Sequence, residues 1–531
     1  MRARSHWAWG YEDRLPDAGK QRALAERVAF VLGKPVAPRE ATPLAAARVP
    51  EPEAPIPDAV RAFASADRES RARHTWGRAY PDIARGFAGD FSAAPDLVIT
   101  PRSEDEVAIA IEACDRARYA LVPWGGGTSV VGGVEHRRDP RFAGRATLDL
   151  ANLSRVLEID EVSRAARIEA GASGPALDAA LEPRGLSLRH FPQSYEHSTL
   201  GGWIATRAGG HFATVYTHID DLVESVRVLC PRGAIETRRL PASGAGPSPE
   251  RLFLGSEGTL GVITSAWMRV FAAPRFRASA SVHFREHAAA VDATRAIAQS
   301  GLFPSNCRLL DAREAMLHEV ALDGTSVLLL AFESADHPLG PWIERAVAIA
   351  AAHGGECRVG PLTAEAGERT HERAAGAEAS WRRAFFDAPY MQSALVGMGL
   401  VADTFETACT WDRFDALHQS IVRATKDALA RTSGGGVVSC RFTHVYPDGP
   451  APYYTFVGAP AGEAIEAWRE IKRAAMDAIV AGGGTITHHH AVGRTHREHH
   501  ERERAPLFGD ALRAVKATLD PGGILNPGVL W

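Results

Sequence analysis

The run Leu121-Val122-Pro123-Trp124-Gly125-Gly126-Gly127-Thr128-Ser129-Val130 limits what this chain can fold into more than any other stretch. Four apolar residues read as a strand, and three consecutive glycines end it. Such a turn leaves successive backbone N–H groups able to curl into an anion-binding nest, with no Cβ to hold a ligand away. Thr128 and Ser129 add hydroxyl donors. The turn lacks the Gly-Lys-Ser/Thr ending of a P-loop. Alone it describes either a phosphate cradle or a tight packing turn.

The flanking sequence supplies the rest of a strand–helix–strand unit. Leu97-Val98-Ile99-Thr100 is a short strand stopped by Pro101, and Ser103-Glu104-Asp105-Glu106 has the form of a capping box. Val107, Ile109, Ile111 and Ala113 continue it as a helix to about Ala117. Further strands are predicted at 146–150, 156–160 and 165–170, with a helix capped by Ser173 running to Leu181. The fold class is therefore α+β, with a nucleotide-binding domain over 96–275. A second α+β domain is expected over 276–500, with helices at 289–299 and 341–353 and strands at 326–332 and 437–442. Residues 1–95 read as an N-terminal helical arm and linker, Pro- and Ala-rich over 36–56. Residues 501–531 read as a C-terminal helix, from 504 to 519, and a tail packing on the first domain.

A chain of 531 residues can bury a core without disulfides. Its six cysteines form no C-x-x-C pair, which suits a reducing compartment. A net charge of -4 argues against a general nucleic-acid binder. With no secretory h-region and no long apolar run, a cytoplasmic protein without a transmembrane segment is expected.

Two more glycine-rich segments follow the first: Ser198-Thr199-Leu200-Gly201-Gly202-Trp203-Ile204-Ala205-Thr206-Arg207-Ala208-Gly209-Gly210, and Leu254-Gly255-Ser256-Glu257-Gly258-Thr259-Leu260-Gly261-Val262-Ile263-Thr264. In this order and spacing the three resemble the FAD-binding (PCMH-type) domain of the vanillyl-alcohol oxidase-like flavoproteins. The resemblance implies that Pro123, Gly125, Gly126, Gly127, Thr128 and Ser129 hold the pyrophosphate. It implies that Ser198, Thr199, Gly201, Gly202, Thr206 and Arg207 flank the flavin ring. Glu257, Gly258, Thr259, Gly261, Val262 and Ile263 would then contribute backbone contacts to flavin and adenine. Asn526-Pro527-Gly528 is similar to the family's C-terminus, which returns to the cofactor. Nothing in the sequence marks a covalent attachment point, so non-covalent FAD is expected.

A closer resemblance, over nearly the full length, is to the alkylglycerone-phosphate synthase family. It is carried by Trp7-Ala8-Trp9-Gly10-Tyr11, by His218-Ile219-Asp220-Asp221-Leu222-Val223 and by Phe405-Glu406-Thr407-Ala408-Cys409-Thr410-Trp411-Asp412-Arg413. Cys440-Arg441-Phe442-Thr443, Tyr453-Tyr454 and Thr487-His488-His489-His490-Ala491-Val492-Gly493 extend it. The resemblance implies exchange of the acyl group of an acyl-dihydroxyacetone phosphate for a fatty alcohol through flavin N5, with no net redox change. Tyr453, His488, His489 and His490 would handle protons. Arg308 maps to a second-domain arginine, and Gln392 stands where the family has an arginine linked to substrate phosphate. A glutamine brings no charge and no bidentate fork to a phosphate, so a non-phosphorylated ketone or acyl substrate is expected to serve at least as well; a preference for the phosphate ester would mean that Arg308 or Arg441 supplies the charge.

Read from the residues alone, the histidine run has alternatives. As a strand, 484–490 would turn His488 and His490 to one side and His489 to the other. A surface His-rich tract or a metal site is the bland alternative, and no metal is expected. His496, His499 and His500, among alternating charges, read as a solvated helix face. A competing function is an FAD-dependent 2-hydroxyacid dehydrogenase of the D-lactate or D-2-hydroxyglutarate type. His444-Val445-Tyr446-Pro447-Asp448-Gly449 and His489-His490-Ala491-Val492-Gly493 partly echo the metal-binding motifs of those enzymes. A flavoprotein that has lost catalysis is a third reading, disfavoured by Tyr453 and the histidines. The expected partner is a small-molecule or lipid substrate, with peripheral membrane contact and a homodimer left open.

Overall fold

In the computed structural model, which describes residues 4–365 and 377–531 and only the backbone of 377–384, the triple-glycine turn leaves the strand Tyr119–Trp124. That strand and Leu97–Ile99 both run parallel to Gly144–Asp149. The strand order is Ala64–Ser65, Leu97–Ile99, Gly144–Asp149, Tyr119–Trp124. Parallel strands are covered on both faces, so continuous apolar runs such as Leu97-Val98-Ile99 are what this position requires. The crossover helix Glu104–Ala117 is capped by Ser103, whose hydroxyl accepts the Glu106 N–H at 3.2 Å. The Glu106 carboxylate takes the Arg102 N–H at 2.6 Å, one residue earlier than a capping box would have it.

A second, antiparallel sheet orders Val156–Asp160, Ala165–Glu169, Val262–Arg269, Val223–Cys230 and Gly233–Glu236. It shares one apolar core with the first sheet, and that core includes Ile524 and Leu525 from the C-terminal tail. The second domain is a seven-stranded antiparallel sheet: Glu356–Glu365, Phe276–Phe284, Ser326–Ser334, Asn306–Leu310, Val437–Val445, Pro450–Gly458 and Val401–Glu406. Helices including His287–Ala298, Gly340–Ala352, Trp411–Ser433 and Ala464–Ala481 bury one face of it. Register pairs Glu406 with Tyr453, Tyr453 with Arg441 and Arg441 with Leu310. Directly opposed residues project to the same side, so Glu406, Tyr453, Arg441 and, two residues before Leu310, Arg308 share the other face.

The N-terminal residues do more than the helical arm and linker expected of them. Ala64–Ser65 joins the first sheet, and buried Arg71 donates to the carbonyls of Pro50 and Pro95. Trp9, Tyr80 and Ile83 lie in the core of the second domain. The C-terminal helix runs over Pro506–Leu519, preceded by a separate short helix, Arg497–Glu503. The expectation of a solvated His face there is corrected: His496 and His499 are 1% and 4% exposed, held by the Ala491 carbonyl and by Asp477. Among the described residues no helix is long and apolar enough to cross a membrane.

The tail is seated by Asp520. Its carboxylate accepts from Ile524 N at 3.1 Å, Leu525 N at 2.8 Å and the Lys516 ammonium at 2.5 Å. Leu121 N then donates to Ile524 O at 2.8 Å, and Asn526 N to Leu121 O at 2.9 Å, so the tail extends the first sheet beside the glycine turn. Asp520→Ala leaves two backbone donors without their acceptor and takes the carboxylate from Lys516, which keeps only the carbonyls of Thr259 and Leu525. It should destabilise the protein by about 3 kcal/mol, read as a lowered melting midpoint together with earlier loss of flavin fluorescence quenching.

Candidate active site

Residues 484–490 form no strand. They curl around the carboxylate of Glu406, which is 2% exposed at the end of Val401–Glu406. Glu406 Oε1 accepts from the Thr487 hydroxyl at 2.9 Å and from the backbone N–H groups of His488, His489 and His490 at 3.1, 2.6 and 2.6 Å. Three successive N–H groups aimed at one oxygen make a nest, and a nest cannot have the alternation of a strand. The three imidazoles therefore fan out around one centre, correcting the two-sided arrangement that a strand would impose. His489 Nδ1 lies 2.5 Å from Glu406 Oε2. Burial works to raise the Glu406 carboxyl, but His489 and His490 beside it prevail and hold it well below the usual carboxylate range.

The first domain and neighbouring strands complete the cluster. His488 Nε2 lies 2.8 Å from the Tyr446 hydroxyl and 3.1 Å from His218 Nε2. His488 Nδ1 is 3.0 Å from His489 Nδ1. His444, wholly buried, places its ring 4.8 Å from that of His488 and its Nε2 3.0 Å from the Gly210 carbonyl. Burial and the neighbouring histidines keep His444 and His488 well below the ordinary imidazole range, so both are neutral at pH 7. Burial also lowers His490, to about 3. Tyr453 donates to Thr404 Oγ1 at 2.8 Å and packs against His489 and His490, with ring centroids 6.1 and 5.3 Å away. Burial pushes its phenol up to about 12.

Glu406, His218, His444 and Tyr446 all lie in motifs that the sequence analysis quotes, yet none is assigned a role there. Each reaches the cluster from more than 40 residues away along the chain. Arg441 lies with its guanidinium carbon 4.0 Å over the Tyr453 ring and forms an ion pair with fully buried Glu314. Arg308, also fully buried, donates to the carbonyls of His211 at 3.0 Å and Thr443 at 3.5 Å. Gln392 is held by partners of its own. Its amide donates to Ala402 O and Asp403 Oδ1, each at 3.2 Å, and accepts the Trp9 indole N–H at 3.1 Å. It thus ties the N-terminal arm to an edge strand.

The three glycine-rich segments meet. A Cβ at Gly126 would collide with the His197 carbonyl, one at Gly125 with Thr199 Oγ1, and one at Gly258 would come within 2.9 Å of Pro123 Cγ. Gly127 and Gly258 also need positive φ, +66° and +72°. Around this junction lie buried polar atoms without hydrogen-bond partners: Thr199 Oγ1, Ser256 Oγ, Asp220 Oδ1, His197 Nδ1 and both nitrogens of His190. Unpaired buried polar groups cost about 1–3 kcal/mol each. Collected beside a glycine cradle, they fit a large polar ligand such as FAD.

Several expected ligands use their side chains internally. The Ser129 hydroxyl accepts from Gly133 N, Ser198 accepts from the Trp203 indole, and Thr206 and Thr259 donate to backbone carbonyls. Arg207 pairs with Asp220. Thr128 flanks the same turn, while Gly201, Gly202, Gly261, Val262 and Ile263 offer backbone and shape rather than polar side chains.

Residues 95–238 match the FAD binding domain family, and residues 273–530 match the C-terminal domain of FAD linked oxidases. The alkyldihydroxyacetonephosphate synthase of Dictyostelium discoideum is 30% identical over 485 residues, which cover 87% of this chain and 77% of that one. The chain belongs to the alkyldihydroxyacetonephosphate synthase family of FAD-linked flavoproteins. A solved alkyldihydroxyacetonephosphate synthase structure superposes with a TM-score of 0.80 at 25% identity, covering 99% of this chain and 98% of that one. The glycolate oxidase subunit GlcD of Bacillus subtilis (strain 168) is 28% identical over 452 residues, covering 83% of this chain and 90% of that one. As a member of the family the chain is an FAD-dependent enzyme, and its two-domain α+β fold is the PCMH-type fold that the sequence predicts.

Two outcomes follow from this geometry. Gly126→Ala forces the turn away from His197, and overpacking of that size should weaken FAD retention about ten- to a hundredfold. Flavin absorbance after gel filtration measures it. The second concerns acid. His136, His190, His490 and His496 are held near 3, and His197 and His418 near 4, mainly by burial. The unfolded chain takes up those protons near 6.5, so stability is lost as pH falls from about 6.5 towards 3. Asp82 and Glu257, raised by burial to about 7, and Asp311, to about 6, act in the opposite sense but are fewer. Melting midpoints measured across this range should therefore fall with pH.

Proposed function

We propose that this enzyme exchanges the acyl group of an acyl-dihydroxyacetone-phosphate-like ketone for a fatty alcohol, releasing the fatty acid with no net redox change. The observation that carries the reading is the gathering of Tyr453, His488, His489 and His490 around Glu406, on the sheet face that also bears Arg308 and Arg441. The flavin, when bound, supplies an electron-rich ring nitrogen able to act as a nucleophile. The protein's part is protons and placement. Tyr453 stays protonated at neutral pH and offers its O–H as a donor. Neutral imidazoles in the loop take the proton of the incoming alcohol and return one to the departing carboxylate. Glu406 fixes the Nδ1 side of His489, leaving Nε2 for that exchange. Arg441, neutralised by Glu314, seats the Tyr453 ring. Arg308, held by two carbonyl oxygens, supplies the cation for the substrate phosphate.

The grouping of His444, His488 and His489, whose ligand atoms lie within 4.8 Å of one another, favours a second reading as a metal-dependent 2-hydroxyacid dehydrogenase. A similar grouping joins Glu406, His489 and His490, where the N–H donors occupy Oε1 of the carboxylate.

Tyr453→Phe should keep FAD and fold, and should lower acyl-for-alkyl exchange by about 10²–10⁴-fold. The assay follows fatty acid release from an acyl ketone phosphate in the presence of a fatty alcohol and no electron acceptor. Anaerobic bleaching of the flavin by a D-2-hydroxyacid, with stoichiometric metal lost in His444→Ala, would replace this reading by the dehydrogenase.

A further inference from the structure

The histidine loop has a second anchor. Where Glu406 of the second domain holds its first half, the buried side chain of Glu257, in the third glycine-rich segment, holds its end. Glu257 Oε1 accepts from Val492 N at 3.0 Å and Gly493 N at 3.1 Å, and Oε2 accepts from Gly493 N at 2.9 Å. We infer that Glu257 is a positioning residue which, opposite Glu406, suspends the histidine loop between the two domains and ties its geometry to the flavin-binding segments. The resemblance would have made Glu257 a backbone contact for the cofactor. Its side chain has a different target.

Backbone strain at the same place supports the inference independently. Among the described residues twelve non-glycine residues have positive φ, and four of them converge here: Glu257 at +50°, Ala491 at +71°, Asn526 at +40° and Leu530 at +70°. L residues occupy this region at a cost, and persist in it where surrounding contacts over-determine them. Those contacts are specific. Asn526 Nδ2 donates to Glu257 O at 2.7 Å and to Gly133 O at 2.9 Å. Leu530 N donates to Gly493 O at 3.2 Å, and Glu257 N to Ala205 O at 2.8 Å. Arg494 donates to the carbonyls of Glu135 and Pro527. One residue thus joins four segments: the backbone of Glu257 binds Ala205 in the second glycine-rich segment and Asn526 in the C-terminal Asn-Pro-Gly, and its carboxylate binds the end of the histidine loop. A glutamine at 257 has the same shape but only one oxygen acceptor, and its NH2 would face an N–H.

The catalytic arm of the test rests on the reading that the histidines move protons; the structural arm does not. With FAD-loaded Glu257→Gln at about pH 8, amide hydrogen exchange over 488–493 should rise about ten- to a hundredfold, as expected for loss of bonds to a charged acceptor. FAD content should match the wild type. In the exchange assay kcat should fall by on the order of 10²-fold with KM little changed, because a displaced imidazole impairs the step and not binding. If Glu257→Gln does not fold, Glu257→Asp, which keeps the charge but withdraws it by one methylene, is read in the same way. Unchanged exchange over 488–493 overturns the inference, whether or not FAD is lost. Raised exchange with no detectable acyl-for-alkyl turnover in wild type or variant upholds the anchor and removes the proposed reaction instead.

Discussion

A buried carboxylate that accepts three consecutive backbone N–H groups shapes this active site. Glu406 could not remain ionised at 2% exposure without such donors, because a desolvated charge is stable only when hydrogen-bonded or paired. The loop after Ala464–Ala481 provides them, and in doing so gives up extended geometry. The histidines are side effects of that backbone arc: once the N–H groups point inward to one oxygen, the imidazoles must spread around it. The same arrangement explains why buried imidazoles stay neutral. Burial disfavours their charged forms first, and the neighbouring histidines add to it, outweighing the opposite pull of Glu406 on His488.

The cluster exists only because two domains meet. The second domain contributes a sheet face bearing Arg308, Arg441, Tyr453 and Glu406. The first brings His218 and the carbonyls of Gly210 and His211 to the same place. An Arg189–Glu333 ion pair and the packing of Trp9 and Tyr80 in the second-domain core fasten the halves together. The C-terminal tail closes the arrangement by pairing with Leu121, one strand length from the glycine turn. Flavin cradle and histidine loop are therefore neighbours by construction, and strain at Glu257, Ala491 and Asn526 marks their seam.

Much of this is legible in the sequence, and what is not shares a cause. His496 and His499 sit among arginines and glutamates, a local pattern that describes a wet helix. They are buried because Ala464–Ala481 packs over them and Asp477 on that helix meets His499. Likewise no local pattern shows that Trp9, over 380 residues away in the chain, donates to the Gln392 amide oxygen. The sequence leaves open whether 484–490 is a strand, and the partner that decides against it, Glu406, lies on another element. In each case a distant polar group decides the outcome.

Sequence alone determines the features that depend on short-range sterics: where three glycines let the chain turn tightly, where Ser103 starts a helix, and which apolar runs must be buried on both faces. These follow from φ preferences and side-chain period, which are properties of a few adjacent residues. It also carries, in the order of the three glycine-rich segments, the resemblance to the FAD-binding domain. Tertiary structure alone decides which polar groups face one another. Glu406 and Glu257 become anchors, Tyr453 lies beneath Arg441, and His218 meets His488, because each contact joins residues far apart in the chain. A hydrogen bond acts over about 3 Å, and no local pattern in the sequence encodes which distant atoms folding will bring that close.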